Sequence, residues 1–529
     1  MRLHALFLSG LVAAAVSAQT PNADDLAWQK AIHKFDATRA ALLRQVDATG
    51  QAGPFRPNWD SLQQYQVPSW YQDAKFGIFL HWGVYSVPAF GNEWYPRNMY
   101  KQGTPEFAHH LATFGPQSKF GYKDFIPSFK AEKFDPKAWA DLFRKAGAKY
   151  VVPVGEHHDG FAMYNSDLSD WSAAKMGPHR DVAGELAQSV RAAGLHFGVS
   201  SHRAEHYFFL NTGREIDSDV RDPQFAGFYG PAHVGVTDKN HQNFKGGHPD
   251  AAYLNDWLAR AAEMVGKYQP EILWFDWWIE TPEFQPYLQR LAAFYYNDAA
   301  RRGSTAAINY KLEAFQPGTA VLDIERGQSD QILPRFWQTD TSVSVKSWGY
   351  IDNDTFRSPE SLVQELVDIV SKNGALLLNV GPKSDGTIPE EAQSVLLAMG
   401  RWLSINGEAI YGTRPWKISG EGPTKVVGGS FNDTATKPYT GRDIRFTTRG
   451  GLLYATALGW PPDGKIRIQS LARGSKLMDW EIGAVQLLGF GGNLKWSRNA
   501  DGLEVELPAA RTGEFAWVFR IARANRAAR

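Results

Sequence analysis

Two carboxylates stand where chemistry can be expected. Asp276 closes the run EILWFDWW (271–278), with aromatic residues on both sides. A carboxylate in such company is costly to bury unless donors surround it or a reaction uses it. Glu325 closes a second apolar run, AVLDIE (320–325). Two carboxyls about 5–5.5 Å apart, one ionised and one protonated, can attack an acetal carbon and protonate its leaving oxygen. Glu313 and Glu280, each just past a strand end, are the alternative proton donors. The plainer reading of both carboxylates is an ion pair at a strand end, for Glu325 with Arg326 or Lys311.

Histidines supply the next signal. His157 and His158 are adjacent and precede Asp159-Gly160. Neighbours on a regular strand face opposite ways. Both rings therefore reach one site only if the strand has ended, and Asp-Gly supplies a turn there. His81, His157, His158 and Asp159 are potential metal ligands, but no HExxH or similar spacing occurs, so no metal and no cofactor is expected. With no Cys, there is no thiolate nucleophile, disulfide or Cys-bound zinc.

These residues need elements to bring them together. Between residues 75 and 412, short apolar runs alternate with helical stretches. The predicted strands cover 76–83, 149–160, 195–202, 271–277, 305–311, 319–325, 335–341 and 375–382. Their nearly continuous hydrophobicity suits buried parallel strands. Predicted helices cover 136–148, 181–194, 252–268, 358–374 and 389–407, and the link between strands five and six is too short for one. Eight such units predict a (β/α)8 TIM-like barrel, whose active site lies at the C-terminal strand ends. Those ends offer His81, Glu156 to Asp159, His202, Asp276, Lys311, Glu325, Asp340 and Asn379. A rival doubly wound sheet would show a Gly-rich turn after its first strand, which here ends His-Trp-Gly. After residue 412, short strands separated by Gly, Pro, Asp and Asn predict a C-terminal antiparallel β-sandwich.

The expected division is a signal peptide over 1–18, the barrel with an N-terminal helix (22–50) over 19–412, and the sandwich over 413–529. The leader MRLHALFLSGLVAAAVSA has a basic start, an apolar run and small residues before Gln19. It predicts a secreted or periplasmic protein without a membrane span. The 529 residues carry 56 basic and 56 acidic side chains, which gives no reason to expect a nucleic acid partner. The 19 Trp suit a large core and flat walls for sugar C–H faces.

The blocks WYQDAKFGIFLHWGVYSVPAFGNEWY (70–95), EHHDGFAMYNSDLSDW (156–171), ILWFDWW (272–278) and LLLNVGPKSDGTIPEEAQ (376–393) resemble the α-L-fucosidases of glycoside hydrolase family 29. The resemblance runs in order from about residue 55 to residue 416. It implies a metal-free retaining exo-α-L-fucosidase acting on fucosylated oligosaccharides or glycoconjugates. Asp276 would be the nucleophile. His81, His157, His158, Glu93 and Trp94 would contact the sugar, and Trp348 would sit beside its methyl group. The third strand end, SSHRAEHYFF, departs from the family's Tyr-rich segment, so His202 enters as a sugar contact from its position alone. Lys311 stands where some members have Arg and enters as a sugar or carboxylate contact. The proton donor rests on Glu325's place after the sixth strand. The competing readings are a catalytically silent sugar-binding protein on the same barrel and a glycosidase of other specificity.

Overall fold

The eight apolar runs form β1 (Phe76–Leu80), β2 (Tyr150–Glu156), β3 (His196–Ser201), β4 (Ile272–Phe275), β5 (Ala307–Tyr310), β6 (Val321–Glu325), β7 (Trp337–Ser342) and β8 (Gly374–Val380). In this computed structural model, which describes residues 23–233 and 248–524, they close into one parallel barrel, β8 pairing back onto β1. The signal peptide expected over 1–18, and part of the connection after β3, lie outside the described residues.

Successive strand residues face opposite sides. The inward row includes Phe79, Val152, Trp274, Val321 and Leu377, which pack into one buried cluster. Outward neighbours such as Ile78, Val151, Leu273 and Leu376 join the larger core under the helices. Each fully buried side chain of this size contributes about 1.5–3 kcal/mol. The inward row also decides the site. Continuing it by two residues come His81 after Phe79, His202 after Ser200, Asp276 after Trp274 and Lys311 after Asn309, just past their strands, and Glu325 after Asp323, at the end of β6.

Strand β2 departs from this rule. Its register against β3 slips between Val154 and Glu156. Gly155 makes the slip possible, because a Cβ there would lie 2.8 Å from Val199 Cγ2. Glu156 is thereby turned away from the mouth. It pairs with Arg203 and, at 3.1 Å, with Arg260, and both arginines also hold Asp256. Glu156 is thus part of a buried ion network rather than of the site. The strand then ends, and both His157 and His158 enter the mouth.

The predicted crossover helices form at Pro136–Lys145, Val182–Ala192, Ala251–Tyr268 and Pro359–Ser371, and Glu390–Asn406 follows β8. Side chains of Asp135, Asp181, Asp250 and Ser358 cap the first four by accepting from free backbone N–H groups. A further helix, Gln285–Arg301, links β4 to β5, and no helix links β5 to β6. The N-terminal helix expected over 22–50 is two helices, Ala23–Ile32 and Asp36–Ala52, with a tight turn at His33–Phe35. The break aims Arg39 at Asp256, 3.0 Å away.

The C-terminal part has β9 (Arg414–Glu421), β10 (Ile444–Arg449), β11 (Leu452–Ala457), β12 (Lys465–Ile468), β13 (Ile482–Leu487), β14 (Trp496–Arg498), β15 (Leu503–Glu506) and β16 (Trp517–Arg523). They form antiparallel sheets ordered β13-β16-β11-β10-β9 and β12-β15-β14. Between β9 and β10 the chain reaches back to the barrel mouth: Phe431 N donates to Glu325 O at 2.9 Å. Among the described residues, no helix is long and apolar enough to cross a membrane.

Candidate active site

A cavity of about 270 Å³ opens at the C-terminal strand ends. His81, Glu93, Trp94, His157, His158, His202, Asp276, Glu325 and Trp348 line it, together with Glu205, Trp274, Trp277, Trp278, Asp340 and Phe431. Every residue singled out in the sequence as catalytic or sugar-binding is therefore at the wall except Lys311.

Asp276 sits between two imidazoles. His202 Nδ1 lies 2.9 Å from Asp276 Oδ2, and His158 Nε2 lies 3.3 Å from the same oxygen. Burial works against the charge on Asp276, but these two donors outweigh it and hold the carboxyl well below the usual carboxylate range. Ser200 Oγ, 2.9 Å from His202 Nε2, fixes that ring with its Nδ1 proton toward Asp276. His158 is fixed from behind by Glu205, 3.2 Å from Nδ1. Burial opposes a charge on His158, but Glu205 and Asp276 prevail and push its pKa up to about 9. The nucleophile position thus carries a neutral donor on one side and a cationic donor on the other.

Glu325 is in the opposite condition. Burial pushes its carboxyl up to about 7, the Lys311 ammonium pulls it down, and the negative Asp276 adds to the rise. Trp277 Nε1 donates to Glu325 Oε2, and Lys311 Nζ stands 3.9 Å from that oxygen. One carboxyl is therefore held ionised and the other keeps a proton near neutral pH, the split expected of a nucleophile and an acid/base.

Of the two contacts expected of Lys311, sugar or carboxylate, the structure shows the carboxylate one. Its buried ammonium donates to Asp323 Oδ1 at 2.6 Å and to Asp340, and lies 4.9 Å from the Trp274 ring centroid. It is the counter-ion of a carboxylate cluster that reaches the cavity wall at Asp340 and Glu325, while Lys311 itself does not line the wall. Asp159 is also withdrawn: it accepts from Tyr122 Oη at 2.6 Å and Phe161 N at 3.0 Å. Neither Glu280 nor Glu313 lines the cavity, and Glu313 is exposed.

His81 Nδ1 and its backbone N both donate to Asn379 Oδ1, at 2.8 and 3.0 Å, which leaves Nε2 as an acceptor. Burial and the neighbouring His202 hold His81 neutral, and burial with His158 does the same for His157. Glu93 Oε2 accepts from Trp348 N at 2.8 Å and Ser347 Oγ at 3.1 Å, so it also fixes the loop carrying Trp348. Trp348 leans over His81, ring centroids 5.1 Å apart. Ring nitrogens of His81, His157 and His202 lie within 4.8 Å of one another, as do nitrogens of His158 and His202 and a carboxylate oxygen of Asp276. Ser200 and Asp276 engage both nitrogens of His202, so few lone pairs face outward together. Such a set suits hydroxyl groups, which both donate and accept.

Glu205, Trp277 and Phe431 were not anticipated. Glu205 lies three residues past His202, a spacing visible in the sequence once the helical turn Arg203–His206 is known. Phe431 carries no local signal, because it arrives from the other domain.

A (β/α)8 barrel whose mouth holds two oppositely tuned carboxyls between aromatic walls defines a barrel glycoside hydrolase. The comparisons agree with the geometry. The family model described as alpha-L-fucosidase matches residues 42–408, and that of the alpha-L-fucosidase C-terminal domain matches 432–522. The chain belongs to the α-L-fucosidase family, glycoside hydrolase family 29. It is 32% identical to the tissue alpha-L-fucosidase of Homo sapiens over 91% of this chain and 95% of that one. It is 34% identical to the human plasma alpha-L-fucosidase over 86% and 88%. The Thermotoga maritima alpha-fucosidase solved with fucose superposes with a TM-score of 0.69 at 32% identity, covering 88% of this chain and all of that one.

Proposed function

We propose that the chain is a retaining, exo-acting α-L-fucosidase that removes terminal α-L-fucose by double displacement. The observation that carries this reading is the opposed tuning of Asp276 and Glu325 in one cavity. Asp276 attacks the anomeric carbon as the glycosidic C–O bond breaks, and Glu325 gives its proton to the departing oxygen. Glu325 then takes a proton from the water that displaces Asp276 from the sugar. His158 and His202 keep Asp276 ionised and aimed. Neutral His81 and His157 read the sugar hydroxyls, while Trp94 and Trp348 wall the ring and its methyl group. A cavity of about 270 Å³ suits a terminal monosaccharide better than an internal one.

The relatives support the substrate class: the T. maritima enzyme is described with fucose and as a fucosynthase holding a fucosyl-fucosyl azide. Asp276→Gly is expected to lose more than about a thousandfold in turnover of an aryl fucoside, and azide is expected to restore turnover with β-fucosyl azide as product. Wild-type activity in this variant would sink the assignment. The leader supports export, and amino-terminal sequencing of secreted protein should begin at Gln19.

A further inference from the structure

We infer that the C-terminal domain supplies the leaving-group subsite, with Phe431 as an aromatic platform that selects pyranoside leaving groups. The inference rests on the reading of Glu325 as the proton donor.

The residues that place Phe431 are numerous and specific. Gly429 N donates to Gln328 O at 2.9 Å, Phe431 N to Glu325 O at 2.9 Å, and Asn432 N and Asp433 N to Arg326 O at 2.7 and 2.8 Å. Thr341 Oγ1 donates to Asp433 Oδ2 at 2.7 Å. The two segments approach so closely that a Cβ on Gly327 would sit 1.9 Å from Gly429 O. The segment is thus bolted to the end of β6, which carries Glu325, and to the link that follows it.

What it presents belongs to none of the buried cores. Phe431 is 60% exposed, and its backbone is left-handed at φ 60. A large apolar residue in that conformation is disfavoured unless its surroundings over-determine it. Its ring lies nearly parallel to that of Trp277, 18° apart at 6.0 Å between centroids. Trp277 in turn donates to Glu325. The aromatic pair therefore stands on the proton donor's side of the cavity. The leaving group must pass that side, because Glu325 protonates its oxygen. A flat exposed ring there offers the apolar C–H face of a pyranose a surface to stack on. Fucose itself, held around Asp276 and the histidines, does not need it.

The test compares two substrates that share fucose and differ in the leaving group: a fucosylated disaccharide with a hexose aglycone, and α-L-fucosyl fluoride. In Phe431→Ala, the ratio of kcat/KM on the disaccharide to that on the fluoride should fall about tenfold. Phe431→Tyr should keep the ratio within about twofold. Inhibition by free fucose reports in both variants that the sugar pocket is intact. An unchanged ratio in Phe431→Ala, or equal losses on both substrates, would overturn the inference. Wild-type protein that cleaves neither substrate would instead overturn the proposed function, so the two failures are distinguishable.

Discussion

Trp277→Phe isolates one hydrogen bond on the proton donor. The indole N–H of Trp277 donates to Glu325 Oε2 and stabilises the ionised carboxylate, while the ring walls the cavity. Phenylalanine keeps the wall and removes the donor. A hydrogen bond to a charged group contributes about 1.5–3 kcal/mol, and one pKa unit corresponds to about 1.36 kcal/mol. The full effect would be about 1–2 units. Glu325 is 12% exposed, so water will replace part of the lost bond, and about one unit is expected. The sign follows from the role. Glu325 must be protonated to act, so a raised pKa extends activity to higher pH. The assay is kcat/KM against pH on a fucoside with a poor leaving group, which reports the free enzyme's groups. The alkaline limb should move from about 7 in the wild type to about 8 in the variant. The acid limb, set by Asp276, should stay in place. A limb that does not move, or moves down, would refute Glu325 as the titrating acid.

Two further predictions concern buried charges. Glu205→Gln removes the carboxylate 3.2 Å from His158 Nδ1, so the imidazole titration seen by NMR should drop from about 9 to below neutrality. kcat/KM at pH 7 should then fall about tenfold, as a charge-assisted bond to Asp276 becomes a neutral one. A titration still near 9 would contradict the role given to Glu205. At the other pole of the barrel, Lys75 is fully buried, and its Nζ has no hydrogen-bond partner among the described residues. Burial pushes its pKa down to about 7 from 10.5. The unfolded chain therefore binds more protons between those values, and wild-type stability rises with pH across that window. The cost of the buried ammonium, fully present below pH 7, is about 5 kcal/mol. Lys75→Met should raise the denaturation midpoint at neutral pH and lose most of that advantage by pH 10. A difference independent of pH would contradict this.

The barrel was legible because buried parallel strands write themselves as apolar runs, and the strand-end rule then selected the mouth residues. Asp276, His81 and His202 follow from parity alone, since each continues an inward row. Glu156 misled that rule because Gly155 shifts the register, which no apolar pattern records. Lys311 occupied the right position, but Asp323 and Asp340, buried beneath it, claim its charge. Phe431 was illegible for a different reason: its function depends on the packing of one domain on the other. Which of Glu325, Glu313 and Glu280 faces the cavity could be read only from its wall, where Glu325 alone of the three stands.

The most direct measurement is covalent trapping with 2-deoxy-2-fluoro-α-L-fucosyl fluoride, followed by peptide mapping of the inactivated protein. A retaining mechanism through Asp276 predicts one fluorofucosyl group, attached to that side chain and released as the enzyme turns over. A label on Glu325 or another residue, or full activity on fucosides without any label and with an inverted first product, would contradict it.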